Sequence, residues 1–369
     1  MIVRRLALLA ALPFALSACG DDTSDTPSAP ARHPGAETAS RLRQSIEAAT
    51  YTAPTPTTVP RATPPEAGST PPTSPGAATV APAPAPETRP DPALVRAQIL
   101  LDRTRFSPGI VDGLGGENTR QAIAAFEKAN DLPVDGALDA MVYERLTAGD
   151  ARQVLSDYTI TAADAAGPFI GTVPEDIADM GRLETVGYAN AREALAEKFH
   201  MSEALLDALN PGVDFARAGQ TIVVAANGPA ALQGEVARII VDKAESSVRA
   251  FDAEGNLLAF YPATIGSGDT PSPTGRHTVR AVAPRPNYTY DPSRVSYGDG
   301  GDKVVVPPGP NNPVGSVWID LSRDTYGIHG TPEPAEIGKT ASSGCVRLTN
   351  WDAEQLAGAV KPGVEVRFV

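Results

Sequence analysis

The sequence is poor in the residues that build metal centres and covalent staples. Its 369 residues include only two cysteines, Cys19 and Cys345, and four scattered histidines. That supply is too thin for a zinc cluster, so no metal and no other cofactor is implied. Basic residues are outnumbered as well: 31 Lys and Arg against 44 Asp and Glu give a net charge of −13. A chain so acidic is poorly suited to nucleic acid or to an anionic membrane surface as its main partner. Long apolar runs are also missing. The one from Leu6 to Leu16 falls short of the ~20 residues needed to span a bilayer. Between Asp21 and Arg89 large apolar residues nearly vanish among Pro, Ala, Thr and Ser.

What is present at the N-terminus reads as an address. Arg4 and Arg5, the apolar run and the small residues after it form a secretory signal over residues 1–18. The sequence Leu16-Ser17-Ala18-Cys19-Gly20 resembles the bacterial lipobox, in which the cysteine is lipidated and becomes the first mature residue. The alternative is an ordinary cleavage site beside a chance cysteine. A lipidated Cys19 implies a membrane anchor on the periplasmic face of the envelope, and Gly20 rather than Asp favours the outer membrane. It also leaves Cys345 as the one free thiol in an oxidising compartment, without a disulfide partner.

The rest of the chain divides by composition and periodicity. Residues 19–90 are expected to be a disordered tether, with one amphipathic stretch from Ser40 to Thr50 able to form a transient helix. Order is expected from Asp91-Pro92, a cap followed by proline at the first helical position. Over 91–150, apolar spacing predicts three short helices. Residues 151–184 carry little pattern and are read as a linker. Over 185–227, two short helices, the second capped by Ser202, lead to a strand at Gly219 to Val224. Over 234–369 alternation replaces helical periodicity, with one helix from Trp351 to Val360 opened by an Asn350 cap. The expected fold is multidomain, two small helix-bearing units ahead of a mainly β C-terminal domain.

The chemistry concentrates at Tyr326-Gly327-Ile328-His329-Gly330-Thr331 and at Ser342-Ser343-Gly344-Cys345-Val346-Arg347. A cysteine with a free pKa of ~8.5 is only a few per cent thiolate at neutral pH, so a nucleophilic one needs a base or a positive neighbour. His329 is the only histidine near Cys345 in sequence. Gly344 permits a tight turn and lets backbone N–H groups reach an oxyanion. Arg347 is placed to hold a carboxylate or to lower the thiol pKa, unless it serves only a structural salt bridge. Tyr326 either lines the cleft or packs, and packing is favoured. A lone cysteine is more often a small buried hydrophobe than a nucleophile; the paired histidine argues against that here.

Those segments resemble the L,D-transpeptidase signature, His-Gly-Thr followed by Ser-x-Gly-Cys-hydrophobic-Arg. Thr270-Pro271-Ser272-Pro273-Thr274-Gly275 and Pro307 to Gly315 are similar to further family motifs in the right order. The resemblance covers 234–369. It implies Cys345 as nucleophile, His329 as general base, the Gly330 carbonyl orienting the imidazole, and the Gly344 and Cys345 amides as oxyanion hole. Many members have histidine where this chain has Ser343, whose part in substrate binding is thereby open.

Two other segments carry resemblances. Val111-Asp112-Gly113 and Leu132-Pro133-Val134-Asp135-Gly136 are similar to the peptidoglycan-binding module of wall enzymes, the alternative being a generic three-helix bundle. The helices of 185–227 resemble a LysM domain, although Tyr188-Ala189-Asn190-Ala191 replaces its usual first turn. Together they imply a lipoprotein that cross-links or remodels peptidoglycan in the periplasm, with peptidoglycan as partner and carbapenems as covalent inhibitors. An L,D-carboxypeptidase or related hydrolase, and a non-catalytic wall anchor, are the rival readings.

Overall fold

The computed structural model describes residues 34–51, 89–266, 270–293, 302–340, 342 and 344–369. Among them, no helix is long and apolar enough to cross a membrane. The secretory signal, Cys19 and Ser343 lie outside the described residues.

The first helix, α1 (Pro34–Glu47), corrects the expectation of an unstructured tether across 19–90. It begins before the amphipathic stretch at Ser40 and is packed rather than transient. Ile46 is fully buried, and the Glu47 carboxylate accepts from the amides of Val154 and Leu155 at 3.2 and 2.8 Å. Three helices follow: α2 (Pro92–Asp102), α3 (Glu117–Ala129) and α4 (Ala140–Gly149). As expected, Asp91 caps α2, its Oδ1 accepting from the amides of Ala93 and Leu94 at 2.8 and 3.2 Å.

The segment read as a linker, 151–184, is not one. It holds β1 (Leu155–Thr159) and the short helices α5 (Ala162–Ala166) and α6 (Ile177–Met180). After α7 (Ala191–Lys198) and α8 (Glu203–Leu209), β2 (Thr221–Ala225) returns antiparallel to β1, pairing Leu155 with Ala225 and Thr159 with Thr221. The partner of the predicted strand thus lies some thirty residues upstream of the 185–227 segment. Alternation over so short a polar strand, Leu-Ser-Asp-Tyr-Thr, leaves little signal. Residues of α1 to α4, β1, β2, α7 and α8 close on one continuous apolar core.

The C-terminal half is mainly β, as expected. Its strands are β3 (Arg238–Asp242), β4 (Ser247–Phe251), β5 (Leu257–Pro262), β6 (Gly275–Pro284), β7 (Tyr288–Tyr290), β8 (Val304–Val306), β9 (Val317–Leu321), β10 (Gly327–His329), β11 (Val346–Arg347) and β12 (Glu365–Phe368). Eight of them form one sheet in the order β11-β10-β9-β6-β12-β3-β4-β5, while β7 and β8 pair separately. One helix, α9 (Asn350–Ala359), packs on the sheet's second apolar core through Ala353 and Leu356. Its cap is Thr349, which accepts from the Asp352 amide, and not Asn350, which is its first helical residue.

The halves are joined through backbone. The Phe260 amide of β5 donates to the Arg105 carbonyl at 2.7 Å, and the Ser107 amide donates to the Phe260 carbonyl at 3.0 Å. The helical unit therefore extends the β5 edge of the sheet, and the Phe260 side chain enters the helical core.

Candidate active site

The site is built where β10 and β11 run parallel at the far edge of the sheet. Ile328 pairs with Val346 and His329 with Arg347, so Cys345 stands just before β11, two register positions from the imidazole. A sequence gap of sixteen residues is closed by two strands of two and three residues.

His329 is buried, at 3% exposure. Its ring stacks on Trp318, its cross-strand partner on β9, with centroids 5.3 Å apart. Nδ1 lies 2.7 Å from the Gly330 carbonyl oxygen, which requires the proton on Nδ1 and leaves Nε2 free to accept one. Burial, with a smaller contribution from the Arg347 charge, pushes the imidazole pKa down to about 4 against the favourable Gly330 bond. The ring is neutral at physiological pH.

The thiol of Cys345, a partly buried residue, points elsewhere. Sγ donates to the Thr325 carbonyl at 3.6 Å, and no hydrogen bond among the described residues joins it to His329. Burial pushes the thiol pKa up, with a Gly327 backbone bond and the Arg347 charge only partly opposing this. Lowering the thiol pKa was one of the roles open to Arg347. It does act in that direction, but desolvation outweighs it.

Gly344 sits at φ +106°, and a Cβ there would lie 2.9 Å from Cε1 of Tyr326. Glycine is thus favoured both by the backbone and by the ring, and Tyr326 lies against the turn that carries Cys345. The Tyr326 ring is itself covered by the Arg323 guanidinium. Of the two amides expected to receive an oxyanion, that of Gly344 donates to Ser342 Oγ at 3.2 Å. The Cys345 amide has no acceptor among the described residues. Arg347 forms no ion pair among the described residues, and its backbone bridges to Thr264.

Sequence reasoning missed the residues that hold this turn. Ser272, the variable position of Thr-Pro-Ser-Pro-Thr-Gly, donates through Oγ to the Gly344 carbonyl at 2.7 Å and accepts from the Gly266 amide at 2.9 Å. Thr270 Oγ1 donates to the Ser342 carbonyl at 2.9 Å. The motif was visible, but nothing in it said that it braces the turn before Cys345. Asn350, taken for a cap, is buried at 2% exposure and accepts from the amide of the Gly330–Thr331 peptide. Among the described residues no group of three or more His, Cys, Asp or Glu could hold a metal ion.

Comparison with known proteins follows the same division of the chain. Residues 236–367 match the profile of the L,D-transpeptidase catalytic domain, and residues 90–146 that of a peptidoglycan binding domain. The Bacillus subtilis protein named as L,D-transpeptidase YkuD is 30% identical over 175 residues, covering 47% of this chain and 90% of that protein. The Escherichia coli protein named as L,D-transpeptidase YcfS is 33% identical over 188 residues, 48% of this chain and 58% of its own length. A crystal structure of L,D-transpeptidase 3 from Mycobacterium tuberculosis, 14% identical, superposes with a TM-score of 0.30 over 41% of this chain and 75% of that one.

Proposed function

The chain belongs to the L,D-transpeptidase family, whose function is the cross-linking of peptidoglycan, and from that premise we propose that Cys345 is its nucleophile and His329 its general base. The observation that carries this is the β10–β11 pairing, which sets a neutral imidazole with an available Nε2 beside the strand leaving Cys345.

In the proposed first step the thiol turns from Thr325 towards the substrate and His329 Nε2 takes its proton. Sulfur attacks the carbonyl carbon of the L-to-D peptide bond in a tetrapeptide stem. The oxyanion is received by the Cys345 amide and by the Gly344 amide once it leaves its long bond to Ser342. The imidazolium returns the proton to the departing amine, so D-alanine leaves and a thioester remains. In the second step an acceptor amine, a side chain of another stem, attacks the thioester. His329 takes its proton and passes it to the sulfur, and the enzyme is regenerated with a new amide bond formed. Water in place of the amine would give the carboxypeptidase reaction. Arg347, whose charge lies near both groups, is suited to a substrate carboxylate.

The accessory units fit a polymeric substrate. Residues 90–146 would hold peptidoglycan through the binding module, and residues 185–227, with α7, α8 and β2, are proposed as a LysM-like glycan contact, β1 pairing with β2 from outside that segment. The lipobox-like sequence ending at Cys19 supports a periplasmic, lipid-anchored location, with the outer membrane as the membrane proposed.

The reading is tested by mass spectrometry on the full chain. A carbapenem is expected to form one covalent adduct on the wild type and none on Cys345→Ala, and purified muropeptides are expected to yield dimers joined stem to stem. Absence of the adduct, or an equal adduct on the variant, rejects Cys345. Tripeptide monomers without dimers would assign the hydrolase instead.

A further inference from the structure

The first turn of α9 begins five residues after Cys345, and three of its consecutive residues are each held from outside the catalytic domain. Asn350 Nδ2 donates to Glu197 Oε1 of α7 at 2.9 Å. Trp351 stacks on His200, ring centroids 4.8 Å apart and planes within 9°. Asp352 Oδ2 accepts from Ser107 Oγ at 3.0 Å. Together these contacts line a cleft of ≈ 240 Å³ between the helical units and α9.

Of the three, the Glu197 contact leads into the active site. Asn350 Oδ1 accepts from the Thr331 amide at 3.1 Å and from the Ser316 amide at 3.0 Å. The Thr331 N–H belongs to the same peptide group as the Gly330 carbonyl, and that carbonyl is the acceptor of His329 Nδ1 at 2.7 Å. One chain of hydrogen bonds therefore runs from imidazole to peptide, from peptide to amide, and from amide to carboxylate. Such chains polarise along their length, each bond strengthening the next. The approach is close enough that Gly330 tolerates no side chain: a Cβ there would meet Asn350 Oδ1 at 2.1 Å.

Glu197 is fixed at its own end. Its Oε1 also accepts from Tyr188 Oη at 2.9 Å. The loop before the histidine strand is tied to the same unit, Asn311 Nδ2 donating to Glu193 Oε1 at 2.8 Å and Thr185 Oγ1 to the Pro308 carbonyl at 2.7 Å.

We propose that Glu197 is a positioning residue for the reaction at Cys345: through Asn350 it holds the Gly330–Thr331 peptide, and with it the imidazole of His329, so that an accessory unit completes the active site. This rests on the assignment of Cys345 and His329 made above. The accessory region is then more than a wall tether, since its docking sets the tautomer and aim of the base.

The test is the rate of Cys345 acylation by a carbapenem, followed by intact mass on the full chain well below its melting temperature. Glu197→Ala is expected to slow acylation about tenfold or more, because a small misplacement of a catalytic group is costly. Glu197→Gln, whose amide oxygen can accept both bonds, is expected to stay within about threefold of wild type. A structural role alone would lower the melting temperature of Glu197→Ala and leave acylation of the folded protein unchanged, and that result overturns the proposal. Should Glu197→Ala fail to fold, a second pair decides. Glu197→Asp, whose shorter side chain withdraws its carboxylate from Asn350, should be slow while Glu197→Gln stays near wild type; equal rates for the two overturn the proposal. A wild type that is not acylated at all rejects the assignment of Cys345 itself, an outcome distinct from either.

Discussion

The thiol of Cys345 is directed at the carbonyl oxygen of Thr325, 3.6 Å away, and not at the imidazole two register positions along the strand pair. With the imidazole pKa pushed down to about 4 and the thiol pKa raised, both mainly by burial, the resting pair is thiol and neutral histidine rather than thiolate and imidazolium. Ultraviolet titration of the free enzyme is therefore expected to show no thiolate absorbance through neutral pH, and its appearance only at a higher pH than for an unperturbed cysteine. The rate of acylation should hold a plateau through neutral pH and fall as pH drops through about 4, where His329 becomes protonated and can no longer accept. An acid limb near pH 7 would contradict the neutral pair.

Removal of the base separates its role from that of the nucleophile. His329→Gln is expected to lower the acylation rate by about 10²–10⁴-fold, the usual contribution of a positioned general base, while Cys345→Ala abolishes the adduct. The His329 variant should recover in part as pH rises and thiolate forms without help. A variant whose rate neither falls nor gains from alkali would remove His329 from the mechanism.

Gly344 gives a prediction about stability. Any Cβ meets the Tyr326 ring at 2.9 Å, and the φ of +106° is one that L residues rarely adopt. Gly344→Ala is expected to cost roughly 1–3 kcal/mol, seen as a lower denaturation midpoint, and to slow acylation by displacing the turn that presents Cys345. Adding Tyr326→Ala relieves the contact but not the backbone, so it should restore only part of the loss. Full restoration would show that the ring alone demands glycine.

The proposed catalytic pair, Cys345 and His329, could be named from the sequence because its motifs are local. His-Gly-Thr and Gly-Cys-Val-Arg name the residues, and β10 and β11 then bring them together. Asp91 and Ser202 were legible for the same reason, since caps act within a few residues. Glu197 and Asn350 were not, for they are 153 residues apart and join only in the assembled structure. A glutamate on a polar helix face reads as solvated, and an asparagine before a helix reads as its cap. The strand Leu155–Thr159 failed for a related reason: its identity depends on a partner at Thr221–Ala225 that local alternation cannot point to. The α1 helix was obscured by the proline-rich sequence after it.

Its packing leads to a prediction. Ile46 is fully buried in the helical core, and Glu47 binds the Val154 and Leu155 amides as well as Arg96, at 3.5 Å. A protein beginning at residue 52 should therefore melt several degrees lower than one beginning at residue 34, and Ile46→Ala in the longer form should cost about 2–4 kcal/mol. If the two forms melt together, the helix is not part of the folded unit.

The cleft between α9 and the helical units sets how stability responds to pH. Burial pushes the carboxyls of Glu197 and Asp352 up to about 7, against bonds from Asn350 and Tyr188 to the first and from Thr349 and Ser107 to the second. The like charges of Glu193 and Glu354 add to the rise at Glu197, and that of Asp102 at Asp352. His200 is raised too, its burial outweighed by Asp102, which it meets at 2.9 Å, and by Asp352 and Glu197. All three groups hold protons more tightly folded than unfolded, so the folded state binds more protons between their unfolded and folded pKa values. Stability must then fall as pH rises through that interval. Melting temperature is expected to decline from about pH 5 to pH 8, and Asp352→Asn, which keeps an acceptor for Ser107 but cannot ionise, should flatten the decline. A melting temperature that rises over this range, or an Asp352→Asn profile parallel to wild type, would mean that these groups do not govern the interface.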